Sequence, residues 1–185
     1  MGQRISLVAT KQSGGSLFNP LAVLKPDGTT LASVALGGLS GYLEPPLLPV
    51  SGTYTVLVDA WVASTGTGLV TLYNATDVTG SMTIGGPAVQ VTLSTPGQRA
   101  LLTFVGTAGQ RINAVGTRQS GAGWLLFWPF AVLKPDGTTL GSVIAGAGPA
   151  SLGPLTLPVS GTYSVLVDPY QAATGTASVT VTLAP

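Results

Sequence analysis

The side chains that most often carry catalysis are scarce in this sequence. It contains no histidine, no cysteine, 7 lysine and arginine residues and 6 acidic residues. A serine or cysteine nucleophile needs a neighbouring general base, and in most such sites that base is histidine. The sequence therefore predicts a protein that is not an enzyme.

The acidic residues also stand singly along the chain. They are Asp27, Glu44, Asp59, Asp77, Asp136 and Asp168. A calcium ion takes about six to eight oxygen ligands, with several carboxylates close together. Four of the aspartates occupy equivalent positions of an internal repeat, which favours a role in turns or at strand ends over a catalytic carboxylate pair. We expect no metal site and no cofactor.

Aromatic residues are the best candidates for contact with a partner. Trp61 and Tyr170 each follow a Val-Leu-Val-Asp sequence by two positions. An aromatic ring on a loop after a strand can bind a sugar or another protein. The alternative is that each ring packs on the core of its own domain.

A second apolar candidate is the run Trp-Leu-Leu-Phe-Trp at residues 124–128. In a strand, Trp124, Leu126 and Trp128 would share one face, and the intervening residues would share the other. Both faces are apolar, which predicts burial on both sides. The run would lie either in a domain core or at a contact with a neighbouring module or subunit.

An internal repeat determines the organisation of the chain. Residues 22–31, Ala-Val-Leu-Lys-Pro-Asp-Gly-Thr-Thr-Leu, recur without change at 131–140. Residues 48–54, Leu-Pro-Val-Ser-Gly-Thr-Tyr, recur in the same way at 157–163. Such self-similarity indicates two tandem copies of one structural unit.

The two copies differ in what precedes their shared Gly-Gln-Arg-Ile sequence. Residues 78–108 precede it in the second copy and contain two alternating apolar segments, whereas only Met1 precedes it in the first. We predict domains at 1–77 and 78–185, with the first lacking about two N-terminal strands. Residues 73–80 interrupt the alternation and predict a surface linker, which includes an Asn-Ala-Thr glycosylation sequon.

The local pattern in both copies is that of β-strands. Tyr54, Val56 and Val58 recur at every second position, and this alternation of aromatic and β-branched residues is typical of strands. Lys-Pro-Asp-Gly supplies the backbone angles of a tight turn. No segment shows a helical period, so the sequence predicts an all-β fold of two tandem antiparallel, jelly-roll-like β-sandwiches.

These motifs resemble the bacterial pre-peptidase C-terminal domain, a small β-sandwich found in tandem in secreted and cell-surface proteins. The resemblance rests on Gly-Gln-Arg before a strand, Leu-Lys-Pro-Asp-Gly-Thr-Thr-Leu, and Leu-Pro-Val-Ser-Gly-Thr-Tyr before Val-Leu-Val. It implies an extracellular or cell-surface location and a role in binding, spacing or assembly, without a catalytic centre. Some relatives bind collagen or hold calcium with clustered carboxylates, and this chain departs from the carboxylate pattern.

Composition narrows the classes of partner. The net charge is +1, charged residues make up 7%, hydrophobic residues 45%, and the mean hydropathy is +0.49. The low positive charge argues against nucleic acid, and the longest apolar run is too short for a membrane helix. A surface with so little charge repulsion favours self-association.

The missing strands of the first copy have three explanations. The sequence could be part of a longer array, a neighbouring chain could donate a strand to give a head-to-tail polymer, or residues 78–108 could serve the first copy. The leading functional prediction is a repeat module of an extracellular stalk, sheath or filament. The alternative is a carbohydrate-binding or protein-binding adhesion module.

Overall fold

The chain is all-β and divides into two compact units, as a computed structural model shows. Unit 1 is Met1–Thr76 and unit 2 is Asp77–Pro185. The residues that the structure describes are 2–37, 40–44, 46–121, 127–146 and 148–185, and every regular element among them is a strand. The predicted all-β fold of tandem sandwiches is confirmed.

Unit 1 holds two three-stranded antiparallel sheets. Its strands are β1 (Ile5–Gly14), β2 (Leu21–Leu24), β3 (Thr30–Val34), β4 (Gly41–Leu43), β5 (Thr55–Val58) and β6 (Gly66–Asn74). One sheet has the order β4-β1-β6 and the other has the order β3-β2-β5. A small apolar core, which includes Leu7, Phe18 and Leu21, lies between them.

Unit 2 is a larger sandwich. Its strands are β7 (Val78–Ser81), β8 (Val89–Leu93), β9 (Ala100–Gly106), β10 (Arg111–Ser120), β11 (Phe127–Leu133), β12 (Thr139–Ala145), β13 (Ala150–Thr156), β14 (Gly161–Val167) and β15 (Gly175–Leu183). The sheets have the orders β13-β10-β15-β8 and β12-β11-β14-β9-β7. The pairing of β7 with β9 is parallel, unlike the antiparallel prediction.

The Lys-Pro-Asp-Gly sequence forms the same hairpin turn in both units. In unit 1, Asp27 Oδ1 accepts hydrogen bonds from the backbone N–H of Thr29 at 2.9 Å and from its hydroxyl at 2.6 Å. Gly28 has a φ of 81°, a conformation that glycine adopts without a steric cost. This turn joins β2 to β3, and its copy at Asp136 joins β11 to β12.

Strands β1–β6 correspond in order to β10–β15, because the repeated motifs lie at the same places in both sets. Strands β7, β8 and β9 have no counterpart among the described residues of unit 1. The prediction of a first copy without its N-terminal strands is confirmed, but three strands differ and not about two. The extra strand, β7, has the sequence Val-Thr-Gly-Ser, in which a single apolar residue gives no alternation.

The predicted surface linker at 73–80 is wrong for most of its length. Its first two residues complete β6 and its last three begin β7. Between these strands Ala75 is fully buried, and its N–H donates to the carbonyl oxygen of Arg4 at 2.9 Å. Backbone hydrogen bonds hold these residues, which lack the alternation of apolar side chains from which a strand is predicted.

Candidate interaction site

The outer edges of β5 and β6 form the candidate site. β5 pairs with β2 through Leu21 to Leu24, and β6 pairs with β1. No other strand of the described residues pairs with either of them. We call the side of unit 1 bounded by these two strands the open edge.

Unit 2 shows what the open edge lacks on β5. The corresponding strand β14 lies between β11 and β9, and Val165 and Val167 pair there with Leu102 and Ala100. Both valines are 0% exposed.

Their counterparts on β5 are far more accessible. Val56 is 38% exposed and Val58 is 47% exposed. The strands have the same Val-Leu-Val sequence, so the difference comes from the missing neighbour and not from the residues themselves.

The same contrast appears on β6. Leu72 lies opposite Leu7 on β1, so both side chains are on the core-facing side. Leu7 is 1% exposed, yet Leu72 is 56% exposed. Its counterpart on β15 is Val181, which is fully buried.

The core that contains these positions in unit 2 includes side chains from β8 and β9. They are Val91, Leu93, Ala100, Leu102 and Phe104, and all are buried in the core of that unit. Phe104 stacks on Tyr163 with ring centroids 5.6 Å apart. Tyr54, the counterpart of Tyr163, is only partly buried.

Neither strand of the open edge contains a charged residue or a proline. Native edge strands are commonly blocked by lysine, proline, inward-pointing charges or bulges. β5 is Thr-Val-Leu-Val, and β6 contains no charged residue and no proline. The open edge can therefore accept a further strand through backbone hydrogen bonds, with apolar side chains buried beneath it.

Tyr54 fixes the turn that leads into β5. Its hydroxyl donates to the carbonyl oxygen of Val50 at 2.7 Å. The hydroxyl of Tyr163 makes the equivalent bond to Val159 at 2.7 Å in unit 2. The approach to β5 thus has the same local geometry as the approach to β14, although only β14 has a neighbour on its far side.

The aromatic candidates lie elsewhere. In unit 2, the rings of Trp128 and Tyr170 meet edge to face with centroids 5.1 Å apart, and each residue is 39% exposed. The backbone N–H of Trp128 donates to the carbonyl oxygen of Asp168, which holds the two segments together. The structure therefore brings two of the predicted contact residues into one pair.

Trp61, the counterpart of Tyr170, has no such aromatic partner among the described residues of its own unit. Asn19 takes the place of Trp128 there, and Trp61 is 59% exposed. Neither Trp61 nor Tyr170 is buried over its domain core. Trp124 and Leu126 lie outside the described residues, and Trp128 is partly exposed where burial on both faces was predicted.

Sequence reasoning did not select Val56, Val58 and Leu72 as site residues. Alternation placed the two valines on a core-facing side, where exposure is unexpected. The signal was nevertheless present, because the repeat shows an identical strand in the second copy preceded by segments that the first copy lacks. These two observations together predict exposed sheet edges and an exposed core in the first copy, but they do not identify these three residues.

Two aspartates with a lowered pKa lie in the hairpin turns. The hydrogen bond from the Thr29 hydroxyl, with its backbone N–H and Lys25 nearby, lowers the pKa of Asp27, and Thr138 has the same effect on the pKa of Asp136. Both carboxylates are exposed and belong to hairpins. Within the described residues, no three histidine, cysteine or acidic side chains cluster as metal ligands would.

The described residues contain no helix that could span a membrane.

The similarity of this chain to known proteins lies in its fold. No protein-family model matches it, and no curated protein matches it. Solved structures with a similar fold include the pre-peptidase C-terminal domain of a Bacillus anthracis collagenase, with 14% identity and a TM-score of 0.46 over 57% of this chain and 95% of that one. This domain is of the type that the sequence motifs resemble.

Two further solved structures are more distant. PliG, a periplasmic inhibitor of g-type lysozyme from Aeromonas hydrophila, has 17% identity and a TM-score of 0.38 over 58% of this chain and 99% of that one. A mutant VP2 protein of infectious bursal disease virus has 14% identity and a TM-score of 0.25 over 98% of this chain and 55% of that one. None of these similarities is close enough to assign a family.

Proposed function

We propose that this chain is a non-catalytic structural protein, a β-sandwich repeat module of an extracellular stalk, sheath or filament. The observation that carries the proposal is the open edge, where Val56, Val58 and Leu72 are exposed although their counterparts in unit 2 are buried. Uncovered strand edges recruit other chains, and burying apolar surface yields roughly 25 cal/mol per Å². Assembly through this edge joins one module to the next.

The low charge supports the same role. Seven per cent of residues are charged, against roughly 25% in ordinary soluble domains. Modules of this composition approach one another with little electrostatic repulsion. In such an assembly the repeated sandwiches determine the length, and the open edge forms the contact between neighbouring modules.

Light scattering after size-exclusion chromatography, together with negative-stain electron microscopy, tests the proposal. We expect oligomers or filaments of the wild-type chain at neutral pH and moderate salt. Val56→Lys places a charge on the open edge and should return the protein to monomers. Val105→Lys, at a 77% exposed position of unit 2, is the matched control and should assemble like the wild type.

A wild-type chain that stays monomeric over a wide concentration range contradicts self-assembly. So does assembly that Val56→Lys leaves intact. In either case the open edge would not be the joint between copies.

The Trp128–Tyr170 pair favours a second candidate, an adhesion module that binds carbohydrate or an extracellular protein. Partly exposed aromatic rings offer a stacking surface for sugars. Titration calorimetry with cello-oligosaccharides and chito-oligosaccharides tests this candidate. Saturable binding by a monomeric chain, abolished in Tyr170→Ala and retained in Trp61→Ala, would favour adhesion through this pair over assembly.

A further inference from the structure

We propose that the open edge of unit 1 is an acceptor for a three-strand segment of the same sequence type as residues 77–106, supplied by a neighbouring module. We call residues 77–106, which contain β7, β8 and β9, the donor segment. The inference deepens the proposed function, on which it rests, by naming the occupant of the open edge and its register.

The acceptor surface of unit 2 is repeated almost unchanged in unit 1. β9 pairs along β14 from Gly161 to Val167. The residues that lead into and form this strand are Leu-Pro-Val-Ser-Gly-Thr-Tyr and Val-Leu-Val in both units, with Thr55 in place of Ser164 between them. A segment that recognises β14 therefore meets nearly the same side chains on β5, which is a strand over Thr55–Val58.

The pairing in unit 2 specifies the register on β5. Ala100, Leu102 and Phe104 lie opposite Val167, Val165 and Tyr163. At the equivalent positions of unit 1, the same donor residues would lie opposite Val58, Val56 and Tyr54. The donor therefore needs a small residue, a leucine and an aromatic residue at alternate positions, which are the types that cover the exposed valines.

The second donor strand covers β6. In unit 2, β8 pairs with β15 so that Val89 lies opposite Val179 and Leu93 opposite Gly175. The counterparts on β6 are Val70 and Gly66. Because one donor pairs with both sheets, it closes the sandwich at the side where Leu72 is exposed.

The donor segment also protects the edge that it creates. β7 pairs in parallel with β9, and Arg99 binds Asp77 through two nitrogen atoms at 3.2 and 2.7 Å. Both side chains are partly buried. A donor of this type ends the five-stranded sheet, so the open edge takes one donor.

Counting acceptors and donors argues against a second copy of this chain as the source. The described residues contain two acceptor faces, on β5 and β14, and one donor segment, which lies in unit 2 against β14. Exchange of donor segments between copies leaves one acceptor per chain uncovered, whatever the arrangement. Exchange between copies therefore buries no additional surface, so residues 77–106 of a second copy are not the donor.

The first test uses a synthetic peptide with the sequence of residues 77–106 and the intact chain. We expect saturable binding of one peptide per chain by titration calorimetry. Val56→Lys in the chain should reduce the affinity at least tenfold. In the peptide, Leu102→Lys should do the same, whereas Val105→Lys, at a position that is 77% exposed in unit 2, should bind like the unmodified peptide.

The second test is the register. The chain has no cysteine, so single cysteines report only on the introduced pair. Leu57→Cys in the chain should form a disulfide with Leu101→Cys in the peptide, because Leu166 and Leu101 are paired in unit 2. Thr103→Cys in the peptide is the control, since two residues out of register place the sulfur atoms too far apart.

Four results would overturn the inference. The peptide could fail to bind, or cross-link better through Thr103→Cys than through Leu101→Cys. It could instead cross-link to Leu166→Cys, which would mean exchange into unit 2. A chain dimer that excludes the peptide and is lost in Val56→Lys would identify a second copy as the occupant.

These tests separate the inference from the proposed function. If the peptide fails to bind while the chain still forms filaments that Val56→Lys disrupts, the structural role stands and the donor assignment fails. If the peptide binds in register to a chain that never self-assembles, the donor assignment stands and assembly between copies fails.

Discussion

At the scale of single residues, the two hairpin turns are near copies of one another. Asp27 and Asp136 each accept two hydrogen bonds from the threonine two positions later, and each lies 3.5 to 3.6 Å from a lysine ammonium group. These contacts favour the charged carboxylate, which is why the pKa of each is lowered from 3.8.

Removing one threonine hydroxyl should raise the pKa of the neighbouring aspartate. In Thr138→Val, the largest cause of the lowered pKa of Asp136 is lost, so this pKa should move up towards 3.8. Carboxyl-carbon NMR titration measures it. The pKa of Asp27 in the same variant is the internal control and should not change, and equal movement of both would contradict the assignment.

The sign of the effect on stability follows from linkage. A carboxylate with a pKa that is lower in the folded chain stabilises the fold above the unfolded value, near 3.8. This contribution is lost as the pH falls through the lower folded pKa. Thr138→Val should therefore weaken the acid dependence of the stability of unit 2.

At the scale of elements, one strand sequence has two environments. β14 has a neighbour on each side, whereas β5 has one. The burial of a strand residue depends on what its sheet packs against as much as on its own type. The same substitution should therefore change the stability by different amounts at equivalent positions of β5 and β14.

Truncation of equivalent valines tests this difference. Val165→Ala removes two methyl groups from a fully buried position, so it should destabilise unit 2 by about 2 to 3 kcal/mol. In the monomer at low protein concentration, Val56→Ala changes a side chain that is 38% exposed and should destabilise unit 1 by less than about 1 kcal/mol. Urea unfolding of each variant, followed by NMR signals of the affected unit, measures both changes.

Equal losses in the two variants would mean that the open edge is covered in solution. Self-association or a bound partner would produce that result. Repeating the measurement at several protein concentrations separates covering by other copies from covering within one chain, because only the former depends on concentration.

At the scale of the whole molecule, the two units differ in size and in closure. Unit 2 has nine strands and a core with Phe104, Phe127, Phe130 and Tyr163, whereas unit 1 has six strands among its described residues and a smaller core. A smaller domain buries a smaller fraction of its surface and retains less net stability.

We expect unit 1 to unfold before unit 2. Hydrogen exchange with mass-spectrometric detection should show faster exchange in β5 and β6 than in β14 and β15. Addition of the donor peptide should slow exchange in β5 and β6 alone, since a ligand stabilises the state that binds it. A single unfolding transition, with equal protection of both units from hydrogen exchange, would contradict this order of unfolding.

The sequence by itself determined the fold class and the repeat. Alternation predicted strands such as β14, and identical Lys-Pro-Asp-Gly sequences predicted identical turns, because these features depend on contacts within a few residues. It also predicted an incomplete first copy, since the repeat supplied a complete one for comparison.

Only the tertiary structure decided where the exposed apolar surface lies. Val56 and Val165 have the same local sequence, and their burial differs because strands distant in sequence cover one and not the other. β7 escaped prediction for a related reason: it is held by parallel pairing with β9 and not by an alternating apolar face. Similarly, the Trp128–Tyr170 contact joins residues that are far apart in the chain. Local patterns specify elements, whereas neighbours across a sheet and across the core decide which residues remain available to a partner.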